Sequence, residues 1–282
     1  MAAAVQPVGD LLREWRQRRR LSQLELALEA DISTKHLSFL ETGRSQPSRE
    51  MLLRLAEQLE IPLRERNVLL VAAGYAPVFA ERALDDPALA AARKAVDLVL
   101  AGHAPYPALA VDRHWTLVAA NAPVARLVAG ADPSLLEPPV NVLRLSLHPR
   151  GLAPRIVNLA EWRAHLLARL RRQIEVSADA ALGRLLSELA AYPAPEARPR
   201  PPRSFRDEFA GVLVPFQLAI DEGTLCFLST TTVFGTPLDI TLSELALEAF
   251  FPADAATAET LRRMMGGAGQ KREGTPWNAP RS

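Results

Sequence analysis

The 282-residue chain carries 33 Lys and Arg against 32 Asp and Glu, a net charge of +1 that excludes a general polyanion binder. Hydrophobic residues make up 49%, which excludes disorder as the general state and, at this length, suits two domains with separate cores. There is no apolar run long enough to span a membrane, the opening MAAAVQPVGDLL does not have the order of a signal peptide, and a lone cysteine, Cys226, excludes an intrachain disulfide and fits a reducing cytoplasm.

The first predicted element is a helix from Val8 to Arg19 with Leu11, Leu12 and Trp15 on its apolar side. Residues 1–75 hold eleven Lys and Arg against ten Asp and Glu, yet five arginines, at 13, 16, 18, 19 and 20, fall within eight positions. Such a basic edge suits modest non-specific DNA affinity. From Leu21 to Ser48 the spacing predicts two short helices joined by a tight turn. Ser22 and Glu25 form a capping box, and Leu24, Ala27 and Leu28 supply an apolar face. Asp31 takes the turn, Ser33 caps the next helix, Leu37 and Leu40 are its buried side with Phe39 also assigned to the core, and Gly43 stops it. Thr34, Lys35, His36 and Ser38 are left outward, the outline of a helix-turn-helix. Ser48 caps a fourth helix carrying Met51, Leu52, Leu55, Ala56 and Leu59. Pro62 opens a fifth through Val68, Leu69, Leu70 and Ala72, ended by Gly74.

The segments LSQLELA, IS and LSFLETGRSQPS resemble the lambda-repressor-like, XRE-type helix-turn-helix family over about residues 8–73. That resemblance implies binding to double-stranded DNA, with Gln23 and the start of the third helix near phosphates and base edges. It makes Ser33, Thr34, Lys35, His36 and Ser38 the candidate readers and Arg44 a phosphate contact that positions without specifying. It also implies a structural pair between Arg16 and Glu41. Where the family usually has glycine in the turn, this chain has Asp31, a residue that tolerates the left-handed conformation.

After Gly74-Tyr75-Ala76-Pro77 a helix is predicted from Asp86 to Gly102, with Leu89, Ala92, Val96, Val99 and Leu100 along one side. The period then changes. Ala108–Val111 and Trp115–Ala120 read as strands around an Asp112-Arg113-His114 turn, and Asn121 caps a helix with Leu127 and Val128 facing in. Asn158 and Glu161 start a longer helix with Trp162, Leu166 and Leu170 on one stripe, and Arg163, Arg169, Arg171 and Arg172 on the other side. Asp179 starts another with Leu182, Leu185, Leu186 and Leu189. Residues 193–203, PAPEARPRPPR, read as a mobile loop. Val212–Ile220 and Thr224–Val233 make a hairpin whose first strand Pro215 assigns to an edge or bulge. Leu245–Phe251 fits strand or helix, the strand being preferred. Asp254–Met265 closes the fold, and the tail from 266 has a disordered composition.

This order predicts an α+β domain with an antiparallel sheet, similar to a PAS domain, behind an all-α domain of five helices. AVDRHWTLVAAN, the helix around Trp162, and FLSTTTVFGTPLDIT followed by FFPAD resemble the ligand-binding domain of MmyB-like transcription regulators over about residues 104–257. The family's tryptophan and histidine near the late hairpin are replaced here by Phe209-Ala210-Gly211-Val212. The implied organisation is a DNA-binding domain at 1–75, a connecting helix at 76–103, a ligand-binding domain at 104–265 and a tail at 266–282. The resemblance implies a pocket lined by Trp115, Leu117, Trp162, Leu166, Phe216, Leu218 and Phe227, with Asn121 or an arginine as polar anchor. Its occupant would be a small, apolar or fatty-acid-like effector, with no other cofactor and no metal.

The expectation is therefore a homodimeric cytoplasmic regulator that does not bind membranes, is not an enzyme, and has its DNA affinity set by a bound effector. One alternative keeps DNA binding and leaves the second domain to dimerise or bind a protein partner. Catalysis lacks support: the histidines at 36, 103, 114, 148 and 165 have no metal-ligand spacing, no phosphate loop or Gly-x-Ser-x-Gly motif occurs, and Asp85-Asp86 reads as a helix start. A haem held by His148 or His165 would rest on lone histidines.

Overall fold

The computed structural model describes residues 6–193, 214–235 and 239–266. The tail beyond Gly266, the proline-arginine loop beyond Pro193 and the segment Phe209-Ala210-Gly211-Val212 lie outside the described residues. The chain divides into two compact units: Met1–Arg82 with Glu175–Ala178 and Pro237–Ser243, and the remainder.

The first unit is built on five helices, α1 (Val8–Arg18), α2 (Gln23–Glu29), α3 (Thr34–Glu41), α4 (Arg49–Gln58) and α5 (Leu63–Ala72). The caps fall where the sequence puts them. Ser22 and Glu25 form the capping box, and Ser33 and Ser48 accept from the backbone N–H groups of His36 and Met51. Asp31 takes the left-handed turn at φ 52°. Leu12, Leu26, Leu37, Leu40, Leu55, Leu59 and Leu70 are fully buried in one core, each stabilising by about 1.5–3 kcal/mol relative to exposure. Gly9 lets α1 approach α3 closely, since a Cβ there would lie 2.5 Å from the Leu40 carbonyl oxygen.

The predicted apolar face of α2 is rotated. Leu26, Ala27 and Ala30 point inward, whereas Leu24 and Leu28 are 67% and 81% exposed. Both sets fit a 3.6-residue period, and the small side chains of Ala27 and Ala30 give α2 its contact surface. Phe39 is also corrected, being only partly buried where Leu40 is fully so.

The second unit opens with a 3-10 turn at Pro87–Leu89, capped by the Asp86 side chain, and α6 (Ala90–Gly102). Leu89, Val96 and Leu100 are buried, but Val99 is 52% exposed and does not share their face. Then come β1 (Ala108–Val111), β2 (Leu117–Ala120), α7 (Ala122–Leu127), α8 (Val142–Leu147), α9 (Leu159–Ser177), α10 (Ala180–Ala191), β3 (Phe216–Ile220), β4 (Gly223–Val233), β5 (Ala246–Pro252) and α12 (Ala255–Gly266), while α11 (Ile240–Ser243), between β4 and β5 in the chain, falls in the Pro237–Ser243 segment of the first unit. The sheet is antiparallel in the order β2-β1-β5-β4-β3. Five curled strands with helices packed on them make the α+β, PAS-like domain. Leu245–Phe251 forms a strand, and it is the central one. Pro215 directly precedes β3, an edge strand, where a missing N–H costs no ladder bond.

Three local expectations change. Trp115 lies outside β2 with φ 66°, a left-handed conformation rare for a bulky residue. Asn121 does not cap α7 with its side chain: its Oδ1 accepts from Ala108 N–H, and its Nδ2 donates to the carbonyls of Leu100 and Tyr106. Asn158 does not cap α9 with its side chain either, because its amide bridges to Pro215 and Gln217 beside β3.

Candidate functional site

Glu41 ties together the first three helices. It ends α3, is 1% exposed, and receives a bidentate bond from Arg16 of α1 at 2.6 and 2.9 Å. Gln23, the first residue of α2, donates its amide to the same carboxylate at 2.8 Å. Burial alone would raise the Glu41 carboxyl, but the bonds from Arg16 and Gln23 and the charges of Arg16 and Arg13 hold it below its ordinary value. Arg16 also donates to the Leu21 carbonyl, and Arg19 donates to the carbonyls of Leu59 and Glu60 at the end of α4. The arginine run is thus partly scaffold, with Arg16 and Arg19 spent inside the unit. Arg18 and Arg19 both stand within 6 Å of the Trp15 ring, at 5.6 and 5.3 Å.

At the start of α3, Ser33 and Lys35 are exposed and Thr34, His36 and Ser38 partly so. The Ser33 hydroxyl is committed as the helix cap. Lys35 and Arg44 converge on Phe39, with Nζ and Cζ at 5.7 and 5.8 Å from its ring. Exposed cationic and hydroxyl groups near a helix N-terminus match what base edges and phosphates require.

The second site is a cavity of about 100 Å³ between the sheet and its helices, against the roughly 10–15 Å³ that admits one water. Trp115, Leu117, Trp162, Leu166 and Phe216 line it. Leu218 and Phe227 are fully buried and absent from the lining, and Asn121 lies outside it with its amide tied to backbone. Leu143, Leu145 and Ser146 of α8 also line the cavity, and sequence reading passed over them because a six-residue helix is too short to show its period. Trp162 stacks on His165 at 5.5 Å and tilts against Phe216 at 4.9 Å, while its indole donates to Ser146 Oγ at 3.0 Å. Burial first, then the charges of Arg169 and Arg172, push His165 below its ordinary pKa, so its ring is uncharged at neutral pH.

The arginine on the cavity wall is Arg169. Its guanidinium meets Glu248 of β5 at 2.5 and 3.1 Å and donates to Thr231 Oγ1 at 2.8 Å. Thr231 is the cross-strand partner of Glu248 in the β4–β5 ladder. The guanidinium also lies 4.5 Å from the Trp115 ring centroid, and the Trp115 indole donates to Gln173 at 2.8 Å. Asp112 supports the left-handed Trp115 by accepting from the N–H groups of His114 and Thr116, both at 2.8 Å. A backbone cost of roughly 1–3 kcal/mol persists only where neighbours over-determine it, and these do. The signal for Arg169 was in the helical period: 162, 166, 169 and 170 share one face, so Arg169 belongs with Trp162 rather than with the solvated arginines.

Burial pushes the Cys226 thiol to about 11. His114 pairs with Asp179 at 2.8 Å, and His103 meets the Phe250 carbonyl at 3.1 Å. Among the described residues no cluster of three His, Cys, Asp or Glu is placed to hold a metal, and no helix is long and apolar enough to cross a membrane.

The MmyB-like transcription regulator ligand binding domain matches residues 92–264, more than half of the chain. The chain belongs to the MmyB-like transcription regulators. A helix-turn-helix family matches residues 12–66, completing the arrangement of a DNA-binding transcription regulator with a ligand-binding domain. The transcriptional regulator ClgR of Mycobacterium tuberculosis, in strains CDC 1551 / Oshkosh and ATCC 25618 / H37Rv, is 39% identical over 75 residues, covering 26% of this chain and 64% of ClgR. This MmyB-like regulator therefore spans just under two thirds of the length of those relatives. The solved structure of the clp gene regulator ClgR from C. glutamicum shares 30% identity over 24% of this chain and 83% of that one, with a TM-score of 0.21.

Proposed function

We propose that this MmyB-like regulator is a sequence-specific switch whose cavity senses a small apolar or fatty-acid-like molecule. The observation that carries the reading is the cavity: carbon-lined except for Ser146, Arg169 and Glu248, it has the composition of a site for one mostly apolar ligand with a few orienting polar groups. Residues 104–265 form the sensing domain on this reading and residues 1–75 the output. Within the output domain, Ser33, Thr34, Lys35, His36 and Ser38 approach base edges, while Gln23 and Arg44 approach phosphates. An eight-residue reading helix makes few base contacts, so the working unit is a homodimer on paired half-sites, about 34–36 Å or a multiple apart.

The test is to purify the full chain under native conditions, denature it, and identify released small molecules by mass spectrometry. A stoichiometric amphiphile or hydrocarbon-rich compound is expected. If the protein releases nothing, and long-chain amphiphiles leave its tryptophan fluorescence unchanged, the sensing role fails and the second domain is a dimerisation or partner-binding module.

A further inference from the structure

We infer that Phe39 is the positioning residue of the DNA-reading helix, its ring holding Lys35 and Arg44 ready for base edge and phosphate. This rests on the assignment of Lys35 to the readers and of Arg44 to the phosphate contacts. Phe39 is only partly buried, and among the described residues it is neither in the helical core nor among the apolar residues packed on it. Its ring instead faces two cations, the Lys35 ammonium at 5.7 Å and the Arg44 guanidinium at 5.8 Å from the centroid. Both side chains are exposed, and no ion pair binds either of them among the described residues.

The backbone builds this arrangement from both sides of the ring. Lys35 lies one turn before Phe39 on α3, so their side chains share a face. Arg44 comes back to the same ring because Gly43 turns the chain at φ 71°, a conformation that glycine adopts without strain. The N–H groups of Arg44 and Ser45 then both donate to the Phe39 carbonyl, at 2.9 and 3.1 Å, which fastens the exit loop independently of the ring. The ring acts on the two side chains. Its face carries the negative part of the aromatic quadrupole and attracts each cation. Held there, both long side chains give up rotamer freedom before DNA arrives rather than on binding, where that loss would weaken the complex. Their charges stay available to phosphates and to base-edge acceptors.

The experiment measures the affinity of the full-length protein for a site that it has itself selected from random sequence. Phe39→Leu removes the ring, keeps the backbone bonds, and should weaken binding about fivefold. Phe39→Tyr keeps the aromatic face and should bind within about twofold of wild type. The loss from Phe39→Leu should vanish when Lys35 and Arg44 are both replaced by alanine, because the ring then has nothing to position. A loss of the same size in that background overturns the positioning role. So does an unchanged affinity of Phe39→Leu when Lys35→Ala and Arg44→Ala each weaken binding, and the two cations then stand as DNA contacts without it. If neither cation variant alters affinity, the assignment of Lys35 and Arg44 fails and the role of Phe39 with it. Should thermal denaturation show Phe39→Leu to be unfolded, Phe39→Met removes the ring in its place and the same outcomes decide.

Discussion

Phe39 holds Lys35 and Arg44 on one ring, yet the two cations occupy different positions on the helix-turn-helix. Lys35 lies in the first turn of α3, the part of a reading helix that reaches base edges, and Arg44 follows the helix. Lys35→Ala should therefore weaken the preferred DNA site by about 1–3 kcal/mol while barely changing affinity for random sequence. Arg44→Ala should weaken both alike and reduce the salt slope by about one. Both follow from binding isotherms on a selected site and on random DNA across a salt series. Equal losses on the two DNAs for the lysine change would remove Lys35 from the readers.

At the scale of elements, the Glu41 carboxylate joins three helices, bonding Arg16 of α1 and Gln23 of α2 from the end of α3. Glu41→Gln leaves Arg16, whose side chain is 11% exposed, without its charge partner, and should cost about 3 kcal/mol. The sign of the pH effect follows from the carboxyl being held below its ordinary 4.5 in the fold. Its stabilisation is fully present above that unfolded value and is lost as the pH falls through the lower folded one. Thermal unfolding of wild type and variant from pH 7 to pH 3 should show a gap that is constant near neutrality and closes in acid. A gap that stays constant throughout would show that the pair contributes nothing through ionisation.

The elements differ in how far the sequence announced them. Caps and glycine stops were legible because each is a local bond or a local dihedral, as at Ser22, Ser48 and Asp31. The face of α2 was not, because two apolar sets fit one period and only packing against neighbouring helices chooses between them. In the cavity wall, Trp115, Leu117, Trp162, Leu166 and Phe216 were nameable only through the family resemblance, which supplied the pocket. Leu218 and Phe227 were misplaced from lining to core, since alternation along a strand separates faces but not depth. Glu248 carried a readable sign: an acid inside the apolar run LALEAFF needs a cation if it is buried. Its partner, 79 positions earlier, emerges only from the fold.

At the scale of the molecule, an MmyB-like regulator joins a site that reads DNA to a site that holds a ligand. Coupling requires the occupant to favour one DNA-binding state over the other, and by linkage DNA must shift occupancy of the cavity by the same factor. Coupling of roughly 1–3 kcal/mol corresponds to a change in DNA affinity of about 5–150-fold. The most direct test is DNA affinity, on a site selected from random sequence by the full-length protein, with the cavity stripped and with it saturated by the small molecule released from the natively purified protein. The account predicts a change within that range, in either direction, and its loss when bulky Trp substitutions at Leu143 and Leu166 fill the cavity. Identical affinities at full occupancy would contradict it.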